Sequence, residues 1–197
     1  WEVSYGDTQV NTTTSSQHIN AFTIDDCGTN TNVLYNFTIL NEQTQTNLNG
    51  SGDHTVGNLN LNITGYSSNA EVISFNSTYN ATNPFAVCLN VDLSGIKYNI
   101  NTEVSYEGKN FFREFYHIQN DTLDNSDLGT NISLYDLDNS SGLNFKIIFK
   151  DGSFLPIENA LIEVQRKYIG EGKFKVVEIL KTYHLGSGIA LLETDDV

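Results

Sequence analysis

Nine Asn-x-Ser/Thr triplets stand in this chain, at Asn11, Asn36, Asn49, Asn62, Asn76, Asn80, Asn120, Asn131 and Asn139. In such a triplet the asparagine amide nitrogen is the atom to which a transferase joins a sugar, so each is a candidate acceptor for an N-linked glycan. All nine precede residue 142. A segment this rich in Asn, Ser and Thr produces several triplets by composition alone, so their placement says more than their number. A glycan needs solvent-facing backbone, and along a strand successive side chains alternate between faces. Asn36 alternates with Tyr35 and Phe37, Asn62 with Leu61 and Ile63, Asn76 with Phe75, and Asn131 with Ile132, so all four fall on the polar face.

Other side chains capable of chemistry are dispersed. His18, His54, His117 and His184 are scattered, with no second histidine at ligand spacing, and His117 in "FFREFYHIQ" reads as a hydrogen-bonded structural residue. Arg113 and Glu114 point to opposite faces of a strand there, with the arginine stem free to cover an aromatic surface. "GSG" at 50–52 and 186–188 lacks the strand-to-helix context of a phosphate loop or nucleophile elbow, so both read as turns. No nucleophile, base or metal cluster emerges, and the chain is not expected to be an enzyme. Calcium is the only cofactor to consider. Asp136 and Asp138 with Ser140 look like the start of an EF-hand loop, yet Ser141 stands where the turn glycine belongs and Ile147 where the bidentate Glu belongs. Asp121, Asp124, Asp127 and the Asp25–Asp26 pair could add oxygen ligands. An acidic, solvated surface is the simpler reading, so no cofactor is expected.

Two cysteines, Cys27 and Cys88, are too few for a zinc site or a disulfide scaffold. In an extracellular protein they form one bridge, and closing a loop of that length stabilises by up to ~4 kcal/mol. Ten bases against 24 acids give a net charge of −14. Phosphate repulsion then argues against nucleic acid, and the charge fits a surface bathed in a salty or cation-rich medium. No apolar run reaches the roughly 18 residues of a membrane span. The chain has no Met and begins at Trp1, which fits a processed or trimmed product.

Composition changes sharply near "LDNSSGLN". Residues 1–141 hold 23 of the 25 asparagines and only three bases, Lys97, Lys109 and Arg113, whereas residues 142–197 hold seven of the ten bases. The expected division is an N-terminal strand and tether over 1–18, an asparagine-rich β-sandwich over 19–141 and a second β-sandwich over 142–197, the two in contact.

Both halves read as strands. In the first, Val33, Tyr35, Phe37 and Ile39 share a face; so do Ile73, Phe75 and Tyr79; Val87, Leu89, Val91 and Leu93; and Ile96, Tyr98, Ile100, Val104 and Tyr106. "GNLNLNITGY" sets Leu59, Leu61 and Ile63 against Asn58, Asn60 and Asn62. Such period-two runs between Gly, Asn and Ser clusters predict an all-β chain of two tandem antiparallel sandwiches, immunoglobulin-like or jelly-roll-like. "NDTLDNSDLGTN" is the place for a short helical turn or loop. In the second half a strand with Phe145, Ile147 and Phe149 meets a turn at Asp151–Gly152. A bend at Pro156 then leads to a strand with Ala160, Ile162 and Val164 inward, followed by "KFKVVEILKT" and "GIALLE".

That order of strand, Pro bend, Ala-x-Ile-x-Val strand and later Lys-Thr-x-x-x-Gly resembles the transthyretin-like or carboxypeptidase-regulatory-like sandwich, a small immunoglobulin-like spacer of surface proteins. "TYHLG" (Thr182 to Gly186) carries Tyr183 where that family usually has an acid. The stretch from "LYDLDNSSGLNFKIIFKDG" to "KFKVVEI" is also similar to a segment recurring in long secreted proteins of archaea and their viruses, which implies a surface location. In the transthyretin-like pattern a further strand follows "GIALLE", so the second sandwich looks one strand short. The alternating Trp1, Val3 and Tyr5 before "NTTTSSQ" could be a tethered strand donated to another molecule. The expected function is therefore a secreted, N-glycosylated structural or adhesive surface protein: a component of a cell envelope, filament or virion spike. Its partners would be glycans and other proteins or copies of itself. Two alternatives stand beside it: a donor-strand filament subunit, and a carbohydrate-binding module stacking sugars on Tyr66, Tyr79 or Phe111.

Overall fold

A computed structural model describes residues 2–5, 8–11 and 22–193. The chain is all-β. Its strands are β1 (Glu2–Tyr5), β2 (Thr8–Asn11), β3 (Ile24–Asp25), β4 (Asn32–Asn41), β5 (Val56–Gly65), β6 (Glu71–Asn80), β7 (Phe85–Leu89), β8 (Tyr98–Glu107), β9 (Glu114–Leu123), β10 (Thr130–Asp136), β11 (Gly142–Ile148), β12 (Leu161–Tyr168), β13 (Lys173–Lys181) and β14 (Ser187–Glu193). Among the described residues two single-turn 3-10 helices interrupt them, at Asn125–Asp127 and His184–Gly186.

Two four-stranded sheets pack face to face. One runs β10-β4-β7-β3 and the other β6-β5-β8-β9. Their inner faces are the apolar phases of the sequence. Ile63 of β5 pairs with Ile73 of β6 and Ile100 of β8, and Leu59 pairs with Val104. These side chains meet Phe37, Ile39, Phe85, Val87 and Leu134 from the opposite sheet in a single buried cluster. Phe85 lies between Phe37 and Tyr79, its ring centroid 5.2 and 4.6 Å from theirs, so aromatic stacking bridges the sheets. Gly57 makes room for it, since a Cβ there would sit 2.7 Å from the Phe85 ring.

The outer face of the second sheet is the asparagine face. Asn58, Asn60 and Asn62 stand between Thr78, Asn76 and Ser74 on β6 and Ser105, Glu103 and Asn101 on β8. The side chains bond across the strands: Thr78 Oγ1 donates to Asn58 Oδ1 at 3.0 Å, and Asn62 Nδ2 donates to Glu71 Oε2 at 2.9 Å. Such ladders offset the weak strand preference of asparagine.

Three details differ from the sequence reading. β10 runs parallel to β4, not antiparallel, because the chain crosses from β9 in one sheet to the rim of the other. A bulge between Val33 and Tyr35 shifts the phase of β4, so Leu34 is fully buried beside Tyr35 while Val33 is half-buried. Ile96 lies in the turn before β8 and is exposed, and Val91 lies beyond the end of β7.

The second half forms two separate two-stranded antiparallel sheets, β11-β14 and β12-β13. All four expected strands are present, with the Asp151 turn and the Pro156 bridge back to Lys150 between β11 and β12. Gly188 of β14 lies directly against Leu180 of β13, where a Cβ would come within 2.5 Å of the leucine. The second "GSG" is thus a 3-10 turn leading into a strand, while the first is a turn as expected. β13 is buried through Val177, Glu178, Ile179 and Leu180 in succession, because it is covered on both faces. At the other end β1 is no lone strand, since it pairs with β2 in a hairpin from Glu2↔Asn11 to Tyr5↔Thr8. Trp1, Thr12 to Ser16, Gln17 and His18 lie outside the described residues.

Candidate functional site

The sequon asparagines sit on strand faces and turns of the first half. Asn49, Asn76, Asn80, Asn120, Asn131 and Asn139 are exposed, Asn36 and Asn62 are half-buried, and none faces the core. The side chain of Asn11 lies outside the described residues. Asn49 caps the turn at 49–53, its Oδ1 accepting from the Gly52 N–H at 2.9 Å. Asn120 takes a positive φ of 52° beside Asn101, whose Oδ1 accepts the Asn120 N–H. Two sequons are aligned residue for residue across a parallel strand pair: Asn36 opposite Asn131, Phe37 opposite Ile132, and Thr38 opposite Ser133. Asn36 Nδ2 donates to Asn131 Oδ1 at 2.9 Å.

Cys27 and Cys88 form the expected disulfide. The bridge ties the β3–β4 loop to β7, the strand between β3 and β4. Asp25 organises that loop by accepting from the backbone N–H groups of Cys27, Thr29 and Asn30. The other calcium candidates are likewise engaged locally and apart. Asp124 caps the first 3-10 turn with Asp127, Asp121 accepts from Thr122, Asp138 accepts from Ser140, and Asp136 points inward. Among the described residues no group of three or more His, Cys, Asp or Glu side chains is placed to hold a metal ion.

Where the second half meets the first lies a set of buried acids that belong to no sequence motif. Asp136 is fully buried; its Oδ2 accepts the Gly108 N–H at 2.7 Å, and its Oδ1 has no hydrogen-bond partner. Loss of hydration raises its pKa to about 9. Glu114 is 1 % exposed, and burial, followed by the nearby Asp136, Glu178 and Glu42, holds its pKa well above the carboxylate range. The same burial raises Glu178, inside the small sheet pair, to about 7 despite a bond from the Leu191 N–H. At neutral pH Asp136 is therefore protonated, and burial pushes Glu114 in the same direction. This fits the geometry at Tyr106, whose hydroxyl lies 2.9 Å from the Tyr135 carbonyl, 3.1 Å from the Val177 carbonyl and 3.4 Å from Glu114 Oε2. One hydroxyl proton cannot serve all three, and the upward push on Glu114 favours a protonated carboxyl that can donate to the Tyr106 oxygen instead.

Around this acid centre the halves are joined by polar contacts. Arg166 of β12 bridges Glu42 and Glu193, and its Nη1 is 3.1 Å from Glu42 Oε1. Tyr168 donates to the Glu42 carbonyl at 2.8 Å, and Gln45 donates to Glu171 at 2.7 Å. His117 is buried, its Nδ1 2.7 Å from the Ile179 carbonyl and its Nε2 3.3 Å from Glu103, the structural role expected. Arg113 is exposed and pairs with Glu107, while its neighbour Glu114 is inward. One sequence signal for the acids was available: Glu178 interrupts "VVEIL" and Glu114 stands among aromatics in "FFREFY". Asp136 and Glu42 give no such sign, since each sits at a strand end of ordinary composition.

Apolar exposure belongs to the other half of the chain. Of 14 large apolar side chains exposed among the described residues, 11 follow Gly142, including Phe154, Ile169, Phe174 and Ile189. A groove of about 440 Å³ runs between Phe115, Leu180, Tyr183 and Ile189, with Lys146 and Lys181 in its walls. Tyr79, an expected sugar platform, is instead buried on Phe85 with its hydroxyl donating to the Ala86 carbonyl. Phe111 packs partly against the core, and Tyr66 alone of the three is exposed. Compared with models of known families, with curated proteins and with solved structures, the chain matches none of them.

Proposed function

We propose that this chain is an extracellular, N-glycosylated, non-catalytic surface protein with a structural or adhesive role, in a cell envelope, filament or virion spike of an archaeon or its virus. The observation that carries the reading is the opposed distribution of two surfaces. Every sequon lies before residue 142, with none of the eight whose side chains are described facing the core, while most of the exposed apolar surface lies after it. Sugars would keep the first half hydrated and protease-resistant, and the second half would contact protein neighbours in an assembly. The Cys27–Cys88 bridge suits an oxidising compartment. The transthyretin-like resemblance of residues 142–197 suits a spacer in such a protein.

Intact mass spectrometry of the protein from its native source tests this. Masses above that of the 21.9 kDa polypeptide by whole sugar chains are expected; the bare mass would overturn the reading. The donor-strand alternative has one supporting observation, the two-stranded sheets of the second half, whose edges pair with no further strand among the described residues. Its donor would not be a free β1, which is already paired to β2. The carbohydrate-binding alternative retains Tyr66 alone.

A further inference from the structure

We infer that the sequons at Asn36 and Asn131 act as one acceptor position, carrying a single glycan between them, with Asn131 as its carrier. The inference rests on the glycoprotein reading and sharpens it to a count.

Three observations support it. The two triplets are in register across the parallel pair β4–β10, so both asparagines leave the same face of one sheet. Neighbouring strands stand about 4.8 Å apart, less than the width of a pyranose ring with its hydroxyls. The two amides are already in contact, Asn36 Nδ2 donating to Asn131 Oδ1 at 2.9 Å. Two sugars rooted there would have to occupy one volume or push the strands apart.

Position chooses between them. β10 is the rim strand of its sheet, so Asn131 has open solvent on one side, and it is exposed. Asn36 is half-buried, flanked by Asn131 on one side and by Ala86 of β7 on the other. The chemistry is compatible with their contact. Asn131 Nδ2 attacks the anomeric carbon of a sugar activated as a phosphate or diphosphate ester. A C–N bond forms, the C–O bond to phosphate breaks, the phosphate leaves with that electron pair, and one amide proton passes to the transferase. The Asn131 carbonyl is untouched and continues to accept from Asn36, which orients the glycosylated amide.

The hydroxyl residue of each triplet allows a clean test without altering either asparagine. Thr38→Val and Ser133→Ala, singly and together, are expressed in a host that glycosylates the protein, and sugar chains per molecule are counted by intact mass. The expected result is no loss in Thr38→Val and a loss of one chain, not two, in the double variant. Ser133→Ala either loses that chain or passes it to Asn36, and both fit a shared position. Independent sites would lose one chain in each single variant and two in the double, which overturns the inference. An unchanged count in the double variant overturns it as well. Loss in Thr38→Val alone, with one lost in the double, overturns Asn131 as the carrier. A wild-type protein without any sugar overturns the glycoprotein reading instead.

Discussion

The asparagines of this chain do at least two different things, and the clearest contrast is Asn83. It is not a sequon. Its side chain completes the hydrogen bonding of buried Ile39, accepting the Ile39 N–H at 2.8 Å and donating to the Ile39 carbonyl at 2.7 Å, with a further bond to the Leu48 carbonyl. Asn83→Ala removes this partner from the Ile39 N–H and the Leu48 carbonyl in a part-buried site, while the Ile39 carbonyl keeps the Leu48 N–H, and a loss of about 1–3 kcal/mol in urea unfolding is expected. Asn76→Gln on the wet face removes a triplet but no described support, and should change stability by less than about 0.5 kcal/mol. Sequence alone does not separate these two roles. The acceptor triplet is legible in three letters, whereas the partner of Asn83 is 44 residues away and only the fold supplies it.

At the scale of elements, the alternating strands were the most readable part. β5, β8 and β13 each begin within two residues of where alternation places them. What alternation cannot carry is a phase change inside a strand, as at Leu34, or strand direction, as for β10. Gly57 is a further case. It looks like a strand-breaking residue at the head of an otherwise regular run, but the Phe85 ring takes the space of its missing Cβ. Gly57→Ala should displace that ring and cost about 1–3 kcal/mol by overpacking, against the small gain usual for Gly→Ala in a strand. The disulfide acts on the same sheet. Cys27→Ala with Cys88→Ala frees a link spanning 61 residues, and a loss of up to about 4 kcal/mol is expected in thermal unfolding, with the fold retained at low temperature.

The whole molecule has an unusual dependence on acidity. Asp136, Glu114 and Glu178 all have pKa values in the fold above those of the free side chains, Asp136 at about 9 and Glu178 at about 7. The unfolded chain ionises them near pH 4 while the folded chain keeps them neutral, so the unfolded state binds fewer protons between those limits. The contribution of these groups to stability is therefore fully present below about pH 4 and is lost as pH rises, for Glu178 until about 7 and for Asp136 until about 9. Asp124, Asp138 and Glu171, held below the usual carboxylate range, work the opposite way at low pH. Each group held neutral contributes a slope of about −1.4 kcal/mol per pH unit in its window. The melting temperature should be higher at pH 4.5 than at pH 7.5 by at least about 5 °C. Asp136→Asn keeps an acceptor for the Gly108 N–H and should flatten the curve; an unaltered slope would assign it to general surface repulsion of the net negative charge.

The parallel pairing of β10 with β4 also dictates a timetable. Asn131 sits opposite a residue 95 positions earlier. At the usual 5–20 residues per second of synthesis, the β4 edge waits roughly 5–20 s for its partner. Throughout that interval the first sandwich has an unpaired rim, and Leu134, fully buried in the finished molecule, has not yet been made. A nascent chain halted before Thr130 is thus the form most exposed to mispairing with its neighbours, and the last seven residues of that sandwich decide when the danger ends.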